Sequence, residues 1–265
     1  MSEPIEPSTD PQDEERASSR RARWLVAGLG VLEATLALVL ALLVAKVFLA
    51  GGWLVHDIAG GGPDAATHRI DLENEPSPGL IAALLTAQSI ALCGVAILLG
   101  RWRARPLDPG SAVPPVRAIG LGLAAGAVSL LGTIALTVSM EAIGLEVREQ
   151  AWVVTLAREH PGGLLALAPW MVLLAPFAEE LFFRGYMVRF LSQRAGAVAA
   201  YAVSSVLFAL MHFHLPLLPV YLFYGLFFAY LYLKTSRLLV PVVAHVTVNT
   251  TALVILYTTG GQPPA

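Results

Sequence analysis

A single cysteine in 265 residues, Cys93, excludes an internal disulfide and any multi-cysteine metal site. It lies in an apolar run and reads as a small buried residue. Charge is also scarce. Asp, Glu, Lys and Arg make up only 14% of the chain, where soluble domains carry about 25%. The net charge of −2 gives no basis for binding nucleic acid. No His-Glu-x-x-His occurs, so the usual two-histidine helix of zinc proteases is missing. What fills the chain instead is hydrocarbon: 56% of residues are hydrophobic, with a mean hydropathy of +0.68.

Seven apolar segments approach the ~20 residues that a helix needs to cross a bilayer. They fall at about 24–50, 79–100, 118–140, 164–190, 196–213, 216–233 and 238–257. None shows the short alternating pattern of a barrel strand. The expected fold is therefore all-α, a polytopic transmembrane bundle of about seven spans. Residues 1–23, acidic and without apolar periodicity, read as a disordered cytosolic tail. The remaining divisions are N-terminal helices and loops over 24–160, a catalytic helical core over 161–258, and a short tail over 259–265. A short amphipathic helix is expected around Glu146–Glu159.

Thirteen of the seventeen Lys and Arg fall on alternate connections. Arg16, Arg20, Arg21 and Arg23 precede the first span, and Arg101, Arg103, Arg105 and Arg117 follow the second. Arg184, Arg189 and Arg194 close the fourth span, and Lys234 with Arg237 joins the last two. Acids dominate the other side. Positive charge stays on the cytoplasmic side, which places the N-terminus there. The Ala- and Arg-rich composition with short loops points to a bacterial inner membrane.

An ionisable residue inside a span marks a functional candidate by default. Glu179 and Glu180 are adjacent in the fourth apolar segment, with Arg184 one turn on. Glu180 and Arg184 stand at i and i+4 and can pair on one face. Successive helical residues diverge by about 100°, so Glu179 is expected to point elsewhere, as a general base in apolar surroundings. The turn around 192–196 makes Glu179 and His212 equidistant from it, hence level in an antiparallel pair. Taking Arg184 to Arg189 as the hydrocarbon edge puts Glu179 roughly 8–15 Å below the cytosolic surface. Phe208, four residues before His212, can pack beneath its imidazole. His245 and Asn249, again at i and i+4, can donate together to one oxygen, which is what a tetrahedral oxyanion requires. Glu33 and Gln88 are further polar residues within spans, suited to pairing with neighbouring helices.

These three motifs, Glu179-Glu180-Leu181-Phe182-Phe183-Arg184, Phe208-Ala209-Leu210-Met211-His212 and His245-Val246-Thr247-Val248-Asn249, occur in that order on successive helices. Together they resemble the CPBP family of CAAX proteases and bacteriocin-processing enzymes, also called the Abi family of glutamic intramembrane proteases. The resemblance covers about residues 164–257. It implies an intramembrane endopeptidase that uses no metal or other cofactor. Glu179 would activate water with help from His212. His245 and Asn249 would form the oxyanion hole, and Glu180 and Arg184 would shape the site. The implied partners are a peptide or protein substrate, membrane-anchored in the CAAX case, and the lipid bilayer. Two other functions fit the same residues. One is a zinc-dependent membrane protease with Glu179, His212 and His245 as ligands. The other is a non-enzymatic immunity or ligand-binding membrane protein.

Overall fold

The computed structural model describes residues 11–58, 78–102 and 112–261, and every regular element among them is helical. Three long helices come first: α1 (Pro11–Ile58), α2 (Pro78–Trp102) and α3 (Pro115–Ala142). A short α4 (Ala151–Glu159) follows, then a broken rod over 161–194. This rod comprises α5 (Pro161–Ala166), a π-helical segment Pro169–Leu174, α6 (Ala175–Glu180), a second π-helical segment Leu181–Val188, and α7 (Arg189–Arg194). The chain ends with α8 (Gly196–Met211), α9 (Leu218–Thr235) and α10 (Leu239–Thr259). Proline opens α1, α2, α3 and α5, where its missing N–H would have had no helical partner anyway.

Five described helices are long and apolar enough to cross a membrane: Ser18–Lys46 within α1, α2 to Arg101, α3, Leu215–Thr235 containing α9, and α10. The chain is a multi-pass integral membrane protein. The other two expected spans take different forms. Pro169 and Pro176 cannot donate to the helical ladder, and the fourth segment alternates between α and π turns instead of running as one α-helix. Single π turns of this kind are frequent at functional sites. The fifth, α8, is a 16-residue apolar helix, about 24 Å long against the ~30 Å of hydrocarbon.

Residues 11–23, assigned from sequence to a disordered tail, are helical from Pro11 onward. Ala and Arg are frequent there, and both favour a helix. Residues 1–10 and 262–265 of the expected tails lie outside the described residues, as do Arg103, Arg105 and the acids of the second expected loop from Asp64 to Glu75. The amphipathic helix expected around 146–159 is α4. It starts later, at Ala151, and buries Val153, Leu156 and Ala157.

Small residues let the helices approach. In the main core, Ala34, Ala37 and Ala41 of α1 and Ala91 and Ala96 of α2 are buried in one cluster with Phe182, Phe183 and Met187 of the broken rod. On the far flank α3 seats against α10 through two glycines. A Cβ on Gly122 would stand 2.5 Å from Val243 Cβ and 2.9 Å from the Val240 carbonyl. One on Gly126 would stand 2.6 Å from Thr247 Cβ and 3.1 Å from the Ala244 carbonyl. Close backbone approach of this type drives helix association in lipid, where there is no hydrophobic force between helices.

This seam makes a direct test. Gly122→Ala and Gly126→Ala should each destabilise the protein by about 1–3 kcal/mol through overpacking, read as a lower thermal midpoint in detergent. Gly120→Ala has nothing within 4 Å to strike and should be neutral or slightly stabilising.

Candidate active site

Glu180 and Arg184 form the pair expected from their spacing. Arg184 Nη1 donates to Glu180 Oε1 at 2.9 Å, and both side chains are buried, with relative exposures of 1% and 0%. The second guanidinium nitrogen, Nη2, donates to the Gly225 carbonyl of α9 at 3.0 Å. Three aromatic rings, Phe208 at 4.6 Å, Phe228 at 5.5 Å and Phe183 at 5.9 Å, surround the guanidinium carbon. At such distances a desolvated cation is attracted by the ring faces. Gly225 permits this contact: a Cβ there would meet the Ser205 carbonyl at 2.8 Å.

From α10, His245 reaches the same carboxylate. Its Nδ1–H donates to Glu180 Oε1 at 3.0 Å. Its other nitrogen, Nε2, lies 4.0 Å from Glu179 Oε2. The two glutamates therefore do not diverge as their helical angles suggest. Their side chains address the two nitrogens of one imidazole. His245 is thus a neighbour of Glu179 that its helical direction did not suggest, and among the described residues no direct hydrogen bond or ion pair links Glu179 to His212. The physical reason is that an imidazole presents nitrogens on two edges, so one ring from α10 can stand between two side chains that leave α6 in different directions. Buried oxygens remain without hydrogen bonds here, Oε2 of Glu179 and Oε2 of Glu180.

His212 stands at the C-cap of α8. Its Nδ1–H donates to the Phe208 carbonyl at 2.9 Å. A carbonyl can only accept, so this bond fixes the proton on Nδ1 and leaves the lone pair on Nε2. Phe208 packs against the ring as expected, with centroids 4.9 Å apart, and also contacts His245 at 6.0 Å. On its other side His212 stacks on Tyr221 of α9, at 4.0 Å and 19°. Gln150 Nε2 donates to the Tyr221 hydroxyl at 3.4 Å. Two residues past His212, His214 Nε2–H donates to the Arg148 carbonyl at 2.7 Å. Between them Phe213 adopts φ 49° and is exposed. Asn249, one turn beyond His245, donates from Nδ2 to the Met171 carbonyl at 2.9 Å, inside the first π-helical segment. An amide nitrogen carries two hydrogens, so one donor of Asn249 is left for another acceptor.

Arg184, expected near the edge of the hydrocarbon, has its guanidinium buried in the cluster. His212 closes α8, about 24 Å along the helix from Gly196, and Gln150 and Arg148 contact its neighbourhood. Zinc ligation by Glu179, His212 and His245 requires the three to converge. Among the described residues no group of three His, Cys, Asp or Glu is placed to hold a metal ion.

Sequence reasoning missed Gly225, Tyr221, Phe228 and Met171. Two of these act through a backbone carbonyl and two through a ring, and neither role leaves a mark in polarity patterns.

Residues 161–251, which include all of the side chains in this cluster from the broken rod, α8 and α10, match the family described as type II CAAX prenyl endopeptidase Rce1-like. The match covers this segment of the chain alone. A Bacillus subtilis (strain 168) protein named "Putative membrane peptidase YdiL" is 33% identical over 91 residues, covering 33% of this chain and 37% of that protein. The chain thus spans little more than a third of the length of the curated relative it matches. No solved structure matches. Within this segment Glu180 is the carboxylate with one oxygen doubly held, by Arg184 and His245, and Glu179 has no hydrogen bond to either.

Stability should follow that division. Arg184→Met leaves Glu180 and the Gly225 carbonyl buried without their donor, an expected loss of about 3–5 kcal/mol. Glu179→Gln should cost under about 1 kcal/mol, since it breaks no hydrogen bond seen here. Thermal unfolding in detergent measures both.

Proposed function

We propose that the protein is an intramembrane endopeptidase of the glutamic type, working without a metal. The observation that carries this reading is the unequal tying of the two carboxylates. Glu180 Oε1 accepts from both Arg184 and His245, which suits a positioning role. Glu179 lies 4.0 Å from His245 Nε2, too far for a direct hydrogen bond. Its carboxylate keeps lone pairs for the proton of an attacking water.

In this scheme Glu179 takes a proton from water as the oxygen attacks a peptide carbonyl, and that proton passes to the leaving amine nitrogen as the C–N bond breaks. His212, with its Nε2 lone pair set by the Phe208 carbonyl, assists by relaying the proton. The developing oxyanion is held by the second amide hydrogen of Asn249 and, when Nε2 as well as Nδ1 carries a proton, by the imidazolium of His245. Phe208 and Arg184 fix the rings and the helix between them. The match to an Rce1-like peptidase family and to a protein named as a membrane peptidase supports hydrolysis of a peptide bond. The substrate class is a peptide or protein, membrane-anchored, brought to a site inside a bacterial inner membrane.

The test uses cells producing either wild type or Glu179→Gln at equal levels, with peptide termini of membrane proteins compared by mass spectrometry. Termini present with wild type should vanish with Glu179→Gln, a loss of at least about 100-fold, and persist when a strong zinc chelator is added. Asn249→Ala should slow cleavage by about 10²–10³-fold. Identical termini from both strains would remove the peptidase reading, and loss on chelation would restore the zinc alternative.

A further inference from the structure

At the arginine-rich end of the bundle, Arg20, Arg23, Trp24 and Ala27 of α1 recur at i, i+3, i+4 and i+7, and so share one face. The turn Arg194-Ala195-Gly196 between α7 and α8 lies against that face, and the two segments line an open groove of about 650 Å³. Gly30 brings them together. A Cβ at Gly30 would stand 3.0 Å from Arg194 Cβ, so the stem of Arg194 passes close over the α1 backbone. Its guanidinium carbon lies 5.3 Å from the centre of the Phe190 ring.

Three arginines, Arg20, Arg23 and Arg194, line this groove, and none of them makes an ion pair among the described residues. Clustered like charges repel, and the arrangement suits an anion that bridges them. Guanidinium forks match phosphate oxygens in geometry as well as charge. Trp24 is exposed beside them, and tryptophan favours the headgroup level of a membrane. The stretch of α1 long and apolar enough to cross a membrane starts at Ser18, so the arginines and Trp24 stand at one end of that stretch, where a lipid headgroup is the anion within reach. The groove is large enough for such a headgroup, falling in the range of about 300–1,000 Å³ typical of small-ligand sites.

We propose that this groove binds the phosphate headgroup of an anionic phospholipid. The bound lipid joins α1 to the α7–α8 turn. That turn links the rod carrying Glu179 to the helix carrying His212. The site is separate from the carboxylate cluster, and its existence does not depend on the proteolytic reading.

Native mass spectrometry of the full chain in detergent tests this, with phosphatidylglycerol or phosphatidylcholine added. Wild type should retain phosphatidylglycerol over phosphatidylcholine. The triple variant Arg20→Gln, Arg23→Gln, Arg194→Gln should lose at least about tenfold of that retention, while the control pair Arg101→Gln, Arg117→Gln should keep it. Arg20→Gln and Arg23→Gln alone, both on an exposed helix face, read the same effect in smaller steps if the triple variant does not purify. Three outcomes overturn the proposal. Equal loss in the control pair means general surface charge. Displacement by millimolar inorganic phosphate means a soluble-anion site. Binding seen only after deletion of residues 1–10 means that the chain's own acidic N-terminal stretch occupies the groove.

Discussion

The buried guanidinium of Arg184 is the interaction on which the rest depends. A charged group in this setting is tolerated where it is paired and hydrogen-bonded. Two of the three nitrogens of Arg184 are met, by Glu180 and by the Gly225 carbonyl, and aromatic rings cover its faces. Through these contacts one side chain ties the broken rod to α9. Through Glu180 it also ties the rod to His245 on α10. The positions of both carboxylates, and of the imidazole between them, follow from it.

Irregular backbone supplies what regular helices could not. An α-helix uses its carbonyls internally, yet Asn249 finds an acceptor at Met171 within a π-helical segment, where the ladder is altered. Non-α backbone at membrane depth is tolerated where protein surrounds it, and here Leu181 through Val188 are all buried. Glycines do the complementary work: Gly225 brings a carbonyl within reach of Arg184, and Gly122 and Gly126 let α3 brace α10 from behind.

Much of this was legible in the sequence because it is local. The Glu180–Arg184 pair and the packing of Phe208 on His212 are both i, i+4 relations, and both form. Helical class and membrane character followed from apolar length. What was not legible depends on departures from ideal helices or on backbone groups. The approach of Glu179 to His245 depends on how α10 packs on the rod. Arg184 looked like a boundary residue because its spacing from Arg189 and Arg194 suggested a basic helix end, yet its partner Gly225 is 41 residues away and polar only through its carbonyl. The count of spans faltered at Pro169 and Pro176, where hydropathy stays high but the ladder breaks. Tyr221, stacked on His212, sits in a run of aromatics that hydropathy cannot tell apart.

The separation of the cluster along the chain has a bearing on biogenesis. Arg184 can neutralise Glu180 within a single helix as soon as the segment is synthesised. The second partner of Glu180, and the neighbour of Glu179, is His245, which leaves the ribosome 65 residues later on the final helix. Until then a carboxylate must rest in a half-built bundle, held at the translocon or shielded by water. A nascent chain stalled before α10 would present that carboxylate uncovered, a signal that membrane quality control could read as incomplete assembly.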